Sequence, residues 1–250
     1  MADLPFGIDF GGTGIKGAPV DLEHGEFAAE RERITTPSPS TPEAVAEVFV
    51  ELLGRFPAST GPVGVTVPGV VRHGVVHSAA NIDKHWIGTD ADKLFTDATG
   101  RDVQVVNDAD AAGLAEVRYG AAKGRKGLVI MTTLGTGIGT ALVFNGVLVP
   151  NSELGHLEID GHDAESRAAN SARERDELSM EHWAKRLRKY YRTLEMLFSP
   201  DLFVVGGGIS KQSDEFLPLI DIDTEIVPAT LLNKAGVVGA ALYATEDRDT

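Results

Sequence analysis

The feature that most constrains this chain is a glycine turn set between two apolar runs, and it occurs twice. In DFGGTGIK, Asp9 to Lys16, a turn at Gly11-Gly12-Thr13-Gly14 joins the strand candidate Phe6 to Phe10 to a second, Ile15 to Val20. A turn that short forces its flanking strands to pair antiparallel. Glu26 to Ile34 reads as a third strand, so the chain opens with a β-meander. LGTGIGTA, Leu134 to Ala141, repeats the arrangement between Leu128 to Thr133 and Ile138 to Phe144, with Val147 to Val149 as a further strand. Two meanders of this kind predict two similar α/β halves, with the cleft between them as the default active site.

The intervening segments supply helices and buried strands. Pro42 to Phe56 has helical spacing of Val45, Val48, Phe49, Leu52 and Leu53. Val63 to Val67 and Val103 to Val106 read as buried strands that end at the polar pairs Pro68-Gly69 and Asn107-Asp108. A helix from Ala109 to about Tyr119 leads to a basic turn, Lys123-Gly124-Arg125-Lys126, and a domain junction is expected near that helix. Between Ser179 and Phe198 one apolar stripe, from Met180 and Trp183 through Tyr190, Tyr191 and Leu194 to Leu197, predicts an amphipathic core helix. Leu202 to Val205 runs into Gly206-Gly207-Gly208, then a helix starting at Ile209-Ser210, and Gly236 to Tyr243 reads as the last helix.

Charge and composition exclude several classes. With 23 basic and 37 acidic residues the net charge is −14, which opposes nonspecific attraction to nucleic acid or an anionic membrane. No apolar stretch approaches the roughly 20 residues that span a bilayer, and the N-terminus lacks the basic start of a secretory signal, so a soluble, cytoplasmic protein is expected. The absence of cysteine rules out disulfides and thiolate metal sites.

Several residues invite chemistry. The amides of the first turn, with Thr13 and Lys16, can cradle phosphate oxygens, although the same residues suit an ordinary hairpin. Asp108 stands at the carboxyl edge of a buried strand, where active sites gather, yet from this segment alone capping the following helix is the commoner use of such an aspartate. ELGH, Glu153 to His156, places an acid and an imidazole three apart, which suits hydrogen bonds to a polyol. His156 and His162 could also ligate a metal, but without cysteine a zinc shell would need acids to complete it.

DFGGTGIK, NDADAAGLAE, LGTGIGTA, ELGH and GGGIS stand in the order seen in the ROK family of sugar kinases and repressors, a likeness that runs from Phe6 to about Tyr243. TVPGVV, AANIDKHWIGT and NDADAAGLAEVRYGA resemble the bacterial polyphosphate glucokinases of that family in particular. The resemblance implies an actin-like, ribonuclease H-like α/β fold with two domains and an interdomain cleft. Residues 1–108 would form a small N-terminal domain, with a C-terminal helix at about 236–250 packing back on it, and 109–235 a larger C-terminal domain.

The same resemblance implies phosphorylation of glucose at its 6-hydroxyl, with Asp108 as general base and inorganic polyphosphate, ATP or both as donor. Asn81, Asn107, Glu153, His156 and Glu165 would line the sugar. Asp9, Gly11, Gly12, Thr13, Lys16, Gly135, Thr136, Gly137, Gly207 and Gly208 would hold the donor, with Asp9 orienting the water shell of Mg²⁺. Lys123, Arg125 and Lys126 are the first expected site for a long polyanion, by their continuity with the Asp108 helix; Arg167 and Arg173, then the basic face of the helix at 179–198, follow. Many members of the family carry a cysteine-rich zinc loop after the ELGH histidine; this chain has none, so no zinc is expected, and Arg167, Arg173 and Arg175 suggest another way to order the loop. A homodimer is implied. The alternatives are an ATP-dependent kinase for glucose or another hexose and, more remotely, a sugar-sensing regulator, for which the five residues before Phe6 leave no DNA-binding segment.

Overall fold

The first glycine turn closes a true two-residue hairpin. β1 (Phe6–Gly11) and β2 (Gly14–Asp21) pair antiparallel with Gly11 opposite Gly14, leaving Gly12 and Thr13 in the loop. The computed structural model describes residues 3–246. Its contacts separate into two units, one reaching to Ala115 and including the segment from Asn233 onward, the other running from Glu116 to Leu232. The division falls inside a helix a few residues beyond the expected 108/109 junction, and the first unit is the larger, because the C-terminal segment returns to it.

In the first unit β3 (Glu26–Phe27) and β4 (Glu32–Ile34) both pair with β2, so the strand expected at 26–34 is interrupted between them. Helix α1 (Pro42–Gly54) begins where Thr41 Oγ1 accepts the Ala44 amide at 3.4 Å and Pro42 needs no amide partner. β5 (Val63–Val67) lies parallel to β1; a short ribbon follows, β6 (Val71–Arg72) with β7 (Val75–Val76), and then helix α2 (Ala91–Thr99). β8 (Val103–Asn107) completes the sheet parallel to β5, in the order β3-β2-β1-β5-β8, and runs directly into α3 (Asp108–Tyr119). Phe10, Phe49, Trp86 and Phe95 pack as tilted and edge-on rings in its core, with centroids 4.4 to 6.3 Å apart.

The second unit repeats that pairing scheme with other residues. β9 (Leu128–Leu134) and β10 (Ile138–Phe144) form the hairpin, and β11 (Val147–Val149) extends it. The ribbon β12 (Glu158–Ile159) and β13 (His162–Asp163) leads to two short helices, α4 (Glu165–Ala168) and α5 (Asn170–Arg175), and to the long α6 (Met180–Phe198). β14 (Leu202–Gly206) then enters parallel beside β9, helix α7 (Ser213–Phe216) follows, and β15 (Ile226–Pro228) closes the order β11-β10-β9-β14-β15. Trp183, Leu187, Tyr190, Tyr191 and Leu194 are buried, as the stripe on α6 predicts, and Phe198 packs partly buried against the same core, but Leu197 is 52% exposed and falls off that face.

The last helix, α8 (Ala235–Tyr243), lies against the first sheet because that sheet leaves room for it. Ala18, Gly7, Gly64 and Gln104 sit side by side on four adjacent strands. A Cβ on Gly7 would overlap the Val237 carbonyl, and one on Gly64 the Ala240 carbonyl, so only glycine permits this approach. Gln104 Nε2 donates to the Ala244 carbonyl at 3.4 Å at the far end. The helix stops at Tyr243 rather than continuing to 250, and residues 247–250 lie outside the described residues.

Candidate functional site

In the first unit the expected residues gather at the carboxyl ends of β1, β5 and β8. Asp9 on β1 faces one partner on each neighbouring strand: Lys16 Nζ is 3.2 Å from Oδ2, and Thr66 Oγ1 donates to Oδ1 at 3.2 Å. Register makes this unavoidable, since Asp9 is opposite Lys16 in one ladder and Thr66 in the other. Gly236, in the first turn of α8, approaches the same carboxylate so closely that a side chain there would press on it. The turn at 11–14 is shaped by its neighbours. Thr36 Oγ1 donates to Gly11 O at 2.6 Å, Arg33 donates to Thr13 O at 2.8 Å, and a Cβ at Gly12 would press on the Asn81 carbonyl at 3.1 Å.

Asn81 is exposed in the left-handed region, φ 60°, a conformation asparagine tolerates better than most residues. Its loop is pinned from below: Trp86 is fully buried beside Phe10, its Nε1 donates to Ser40 O at 2.8 Å, and Lys84 donates to Ala79 O at 2.7 Å. The Trp86 segment therefore acts as the foundation under Asn81.

At the end of β8 the two acid-amide neighbours divide their labour. Asn107, 7% exposed, caps α3 by accepting the amides of Ala109 at 2.8 Å and Asp110 at 3.1 Å, and its Nδ2 donates to Gly69 O at 3.0 Å. At most one of its amide hydrogens is left for a sugar, so its expected role as a sugar ligand narrows to that one bond. Asp108, the next residue, is exposed, and its Oδ1 also receives the Ala109 amide at 2.9 Å. Asn107, which accepts two amides, is the principal cap, and Asp108 shares one of them.

The second unit brings its residues to one edge of its sheet. The turn after β9 has three residues, with Leu134 opposite Ile138 and the Gly135 amide donating to Gly137 O at 3.0 Å. Glu165 Oε2 accepts the Ile138 amide at 2.9 Å, and a Cβ on Gly137 would overlap that carboxylate. Ser171 holds the other side, its amide donating to Gly135 O at 3.0 Å and its hydroxyl to Thr136 O at 2.5 Å. Gly135 and Ile138 thus spend their amides internally. The Glu165 and Ser171 straps have no spacing signal in the sequence; they come from the fold of the loop.

Gly206 pairs with Thr133, so GGGIS lies at the same edge as the turn. Gly207 has φ 86° and sits where a side chain would overlap the Leu134 carbonyl, whereas a Cβ on Gly208 would meet open space. The helix expected after it is a 3₁₀ segment, Gly208–Gln212, ahead of the four-residue α7. A continuous helix dipole aimed at phosphate is therefore not part of this site.

ELGH forms a single 3₁₀ turn at Leu154–His156, anchored where Leu154 N donates to Thr140 Oγ1 at 3.1 Å. Gly155 is obligatory, because a Cβ would overlap the Ile138 carbonyl. His156 Nδ1 lies 2.8 Å from Asp163 Oδ2 and 3.9 Å from Glu165 Oε1, and Nε2 is 4.0 Å from Glu153. The hydrogen bond to Asp163, with the charges of Glu165, Asp163 and Glu153, raises the imidazole above its usual pKa. Burial raises Glu153, with Glu165 adding to it against the opposing pull of His156.

His156, Asp163 and Glu165 also bring ligand atoms within 4.8 Å of one another. They do not reproduce a cysteine zinc site: no thiolate exists in the chain, and the imidazole nitrogen nearest the acids is already hydrogen bonded to one of them. The loop is ordered by arginines. Asp176 takes Arg175 at 2.9 Å and Arg186 at 2.6 Å, which together hold its carboxyl down to about 2. Arg173 lies 5.8 Å from the Trp183 ring centre and 3.0 Å from Asn170 Oδ1.

The basic turn is placed elsewhere. Lys123, Arg125 and Lys126 are exposed at the amino end of β9, and the glycine turn is at its carboxyl end; seven residues of strand separate them by roughly 20 Å. Arg125 is moreover paired with Glu225. These three residues cannot touch a phosphate held at Thr136.

A protein-family model described as ROK family matches residues 5–170. A polyphosphate glucokinase of Mycobacterium tuberculosis is 51% identical over 243 residues, covering 97% of this chain and 91% of its own. Among solved structures, the inorganic polyphosphate/ATP-glucomannokinase of Arthrobacter sp. strain KM superposes with a TM-score of 0.91 at 57% identity, covering 97% of this chain and 98% of its own. A ROK family glucokinase of Streptomyces griseus, solved with glucose and AMPPNP, superposes at 0.79 with 25% identity over 96% and 99%.

Proposed function

The chain belongs to the ROK family, and we propose that it phosphorylates the 6-hydroxyl of glucose, with inorganic polyphosphate or ATP as donor and Asp108 as general base. Its fold is the actin-like, ribonuclease H-like α/β fold of the family's sugar kinases. The observation that supports the base is the placement of Asp108 at the carboxyl end of β8, exposed at the first position of α3, beside Asn107, which accepts the amides of Ala109 and Asp110.

In this reading Asp108 accepts the proton of the sugar hydroxyl as that oxygen bonds to the donor's terminal phosphorus and the bridging oxygen departs with the shortened donor. Asn81, Glu153 and His156 hold the other hydroxyls, and the hydrogen bond to Asp163 raises the His156 imidazole above its usual value, which favours its donor form. Glu165 acts at one remove, spending one oxygen on the Ile138 amide and turning the other toward His156. Thr136 and Gly137 receive the phosphate through their amides, with the first turn, Gly11 to Thr13, and Lys16 supplying further donors.

A lone carboxylate flanked by an ammonium and a hydroxyl, such as Asp9, suits a contact to the water shell of Mg²⁺ rather than a full protein cage. When bound, that ion offsets donor charge. Mannose is the second sugar to consider, because the Arthrobacter relative is a glucomannokinase. A cytoplasmic protein is supported by the lack of cysteine and of any helix long and apolar enough to cross a membrane among the described residues. A homodimer is supported by the exposed apolar edge of Phe144, Val147 and Val149.

The test is a steady-state assay with glucose, mannose and N-acetylglucosamine against polyphosphate and ATP, product identified by ³¹P NMR. Glucose 6-phosphate should form from both donors and only with Mg²⁺ present. Failure with every donor at saturating glucose would refute the reading.

A further inference from the structure

The ELGH turn runs at once into the β12–β13 hairpin, whose register decides what His156 can touch. Asp160 and Gly161 both lie in the left-handed region, φ 54° and 73°, as a two-residue type I′ turn requires. Around that turn Ile159 is opposite His162, Glu158 is opposite Asp163, and the Ala164 amide donates to Leu157 O at 2.9 Å. Continued by one residue, the same register sets His156 level with Glu165 and diagonal to Asp163. A slip of one residue would turn Asp163 to the other face of the ribbon and part it from the imidazole.

Asp163 uses each carboxylate oxygen once. Oδ1 accepts the Glu165 amide at 3.2 Å, and Oδ2 lies 2.8 Å from His156 Nδ1. Its own carbonyl accepts the Ser166 hydroxyl at 2.6 Å, so the residue is held on both sides before the imidazole meets it. An ionised carboxylate can only accept, so Nδ1 carries a hydrogen in either charge state of the ring. Nε2 is then the nitrogen that points elsewhere: Glu153, the acid beside it, is 4.0 Å away, beyond hydrogen-bond distance. The charged groups facing the ring are the acids Glu153, Asp163 and Glu165, and of these Asp163 is the one bonded to it.

We propose that Asp163 is a positioning residue for sugar recognition: it holds the His156 ring by Nδ1 and so presents Nε2 as the atom that meets the sugar hydroxyls. That the ligand is a sugar rests on the functional reading above; the orientation of the ring does not. Asp163 acts only through His156 and touches no substrate, which makes its contribution separable by experiment.

The variant Asp163→Asn divides the two uses of the carboxylate. Its amide oxygen can keep the Glu165 amide, which turns the Nδ2 group toward His156 and makes it a donor there. The ring must answer with a bare Nδ1 and a hydrogen on Nε2. ¹⁵N NMR of the imidazole, recorded without substrate on the alkaline side, should therefore show a protonated Nδ1 and a bare Nε2 in the unmutated protein and the reverse in the variant, with His156→Gln identifying the signals. The same pattern in both proteins overturns the proposal. The consequence for the sugar is read by calorimetry with glucose alone, on the acid side of neutrality, where the raised pKa keeps the unmutated ring charged. There Asp163→Asn should weaken glucose binding roughly 3- to 10-fold, as a neutral bond replaces a charge-assisted one. With His156 already changed to glutamine, the same substitution should cost less than about 2-fold. Equal losses in the two backgrounds would show Asp163 acting independently of His156 and overturn the positioning role. An unmutated protein that binds no glucose would instead refute the kinase reading, while the ¹⁵N spectra still decide what orients the ring.

Discussion

The tetrapeptide Gly-Thr-Gly-Ile makes both glycine turns, at 12–15 and at 135–138, yet the two are built in opposite ways. The first is a two-residue loop braced by a cation: Arg33 lies under Gly14 and donates to the Thr13 carbonyl. The second is a three-residue loop braced by an anion: Glu165 lies under Gly137 and accepts from the Ile138 amide. In each, the second glycine is required by the charged group packed against it, not by a positive φ, since neither appears among the left-handed residues. A cation brace consumes a carbonyl and an anion brace consumes an amide. The first turn thus carries extra positive charge next to the Asp9–Lys16 pair, while the second presents two neutral amides whose position depends on Glu165.

The largest expected effect separates the two braces. Glu165→Ala strands a buried amide and releases the turn, so kcat/KM should fall roughly 10- to 100-fold with polyphosphate and ATP alike, the range for losing a hydrogen bond to a charged group. Arg33→Ala removes a bond to one exposed carbonyl and should cost less than about 5-fold. Equal losses would mean that the braces do not distinguish the turns. Circular dichroism of both variants checks the fold.

A smaller effect follows from the charge state of His156. Its folded pKa is raised above the usual 6.5, chiefly by Asp163. The sign follows directly: a raised value means the protonated form is favoured, so its contribution is complete below about 6.5 and is lost as pH rises through the raised value. The KM for glucose should therefore climb on the alkaline side, by roughly 3- to 10-fold, and His156→Gln should flatten that limb. An unchanged limb in the variant assigns the alkaline loss to another group.

The smallest effect is expected at the basic turn. With Lys123, Arg125 and Lys126 all changed to glutamine, ATP and short polyphosphates should be used within about 2-fold of normal, because the turn stands roughly 20 Å from Gly135. Only chains long enough to span that distance can lose affinity, and their KM should become less sensitive to salt. A large loss with ATP would contradict the placement.

These contrasts mark what sequence could and could not reveal. Both hairpins, the buried strands ending at Asp108 and Gly206, and the core face of α6 are legible because each is a local pattern: a turn residue between apolar runs, or a stripe at helical spacing. What escapes depends on residues far apart in the chain. The role of Asn107 as cap appears only once α3 is seen to start at Asp108. Ser171 and Glu165 reach the second turn through a loop with no periodic signal. The distance of the basic turn from the glycine turn at 135–137 is likewise invisible until β9 is seen to run its full length between them. The row Ala18, Gly7, Gly64 and Gln104 is visible only after strand register is known.

The most direct test of the account is Asp108→Asn, measured for both kcat and glucose affinity. The amide keeps the shape and can still accept the Ala109 amide, while Asn107 keeps the cap. The account predicts that kcat falls at least 10²-fold with either donor while the glucose Kd from calorimetry stays within about 3-fold. Near-normal turnover, or loss of glucose binding with kcat preserved, would show that Asp108 is a ligand or a structural acid and not the base.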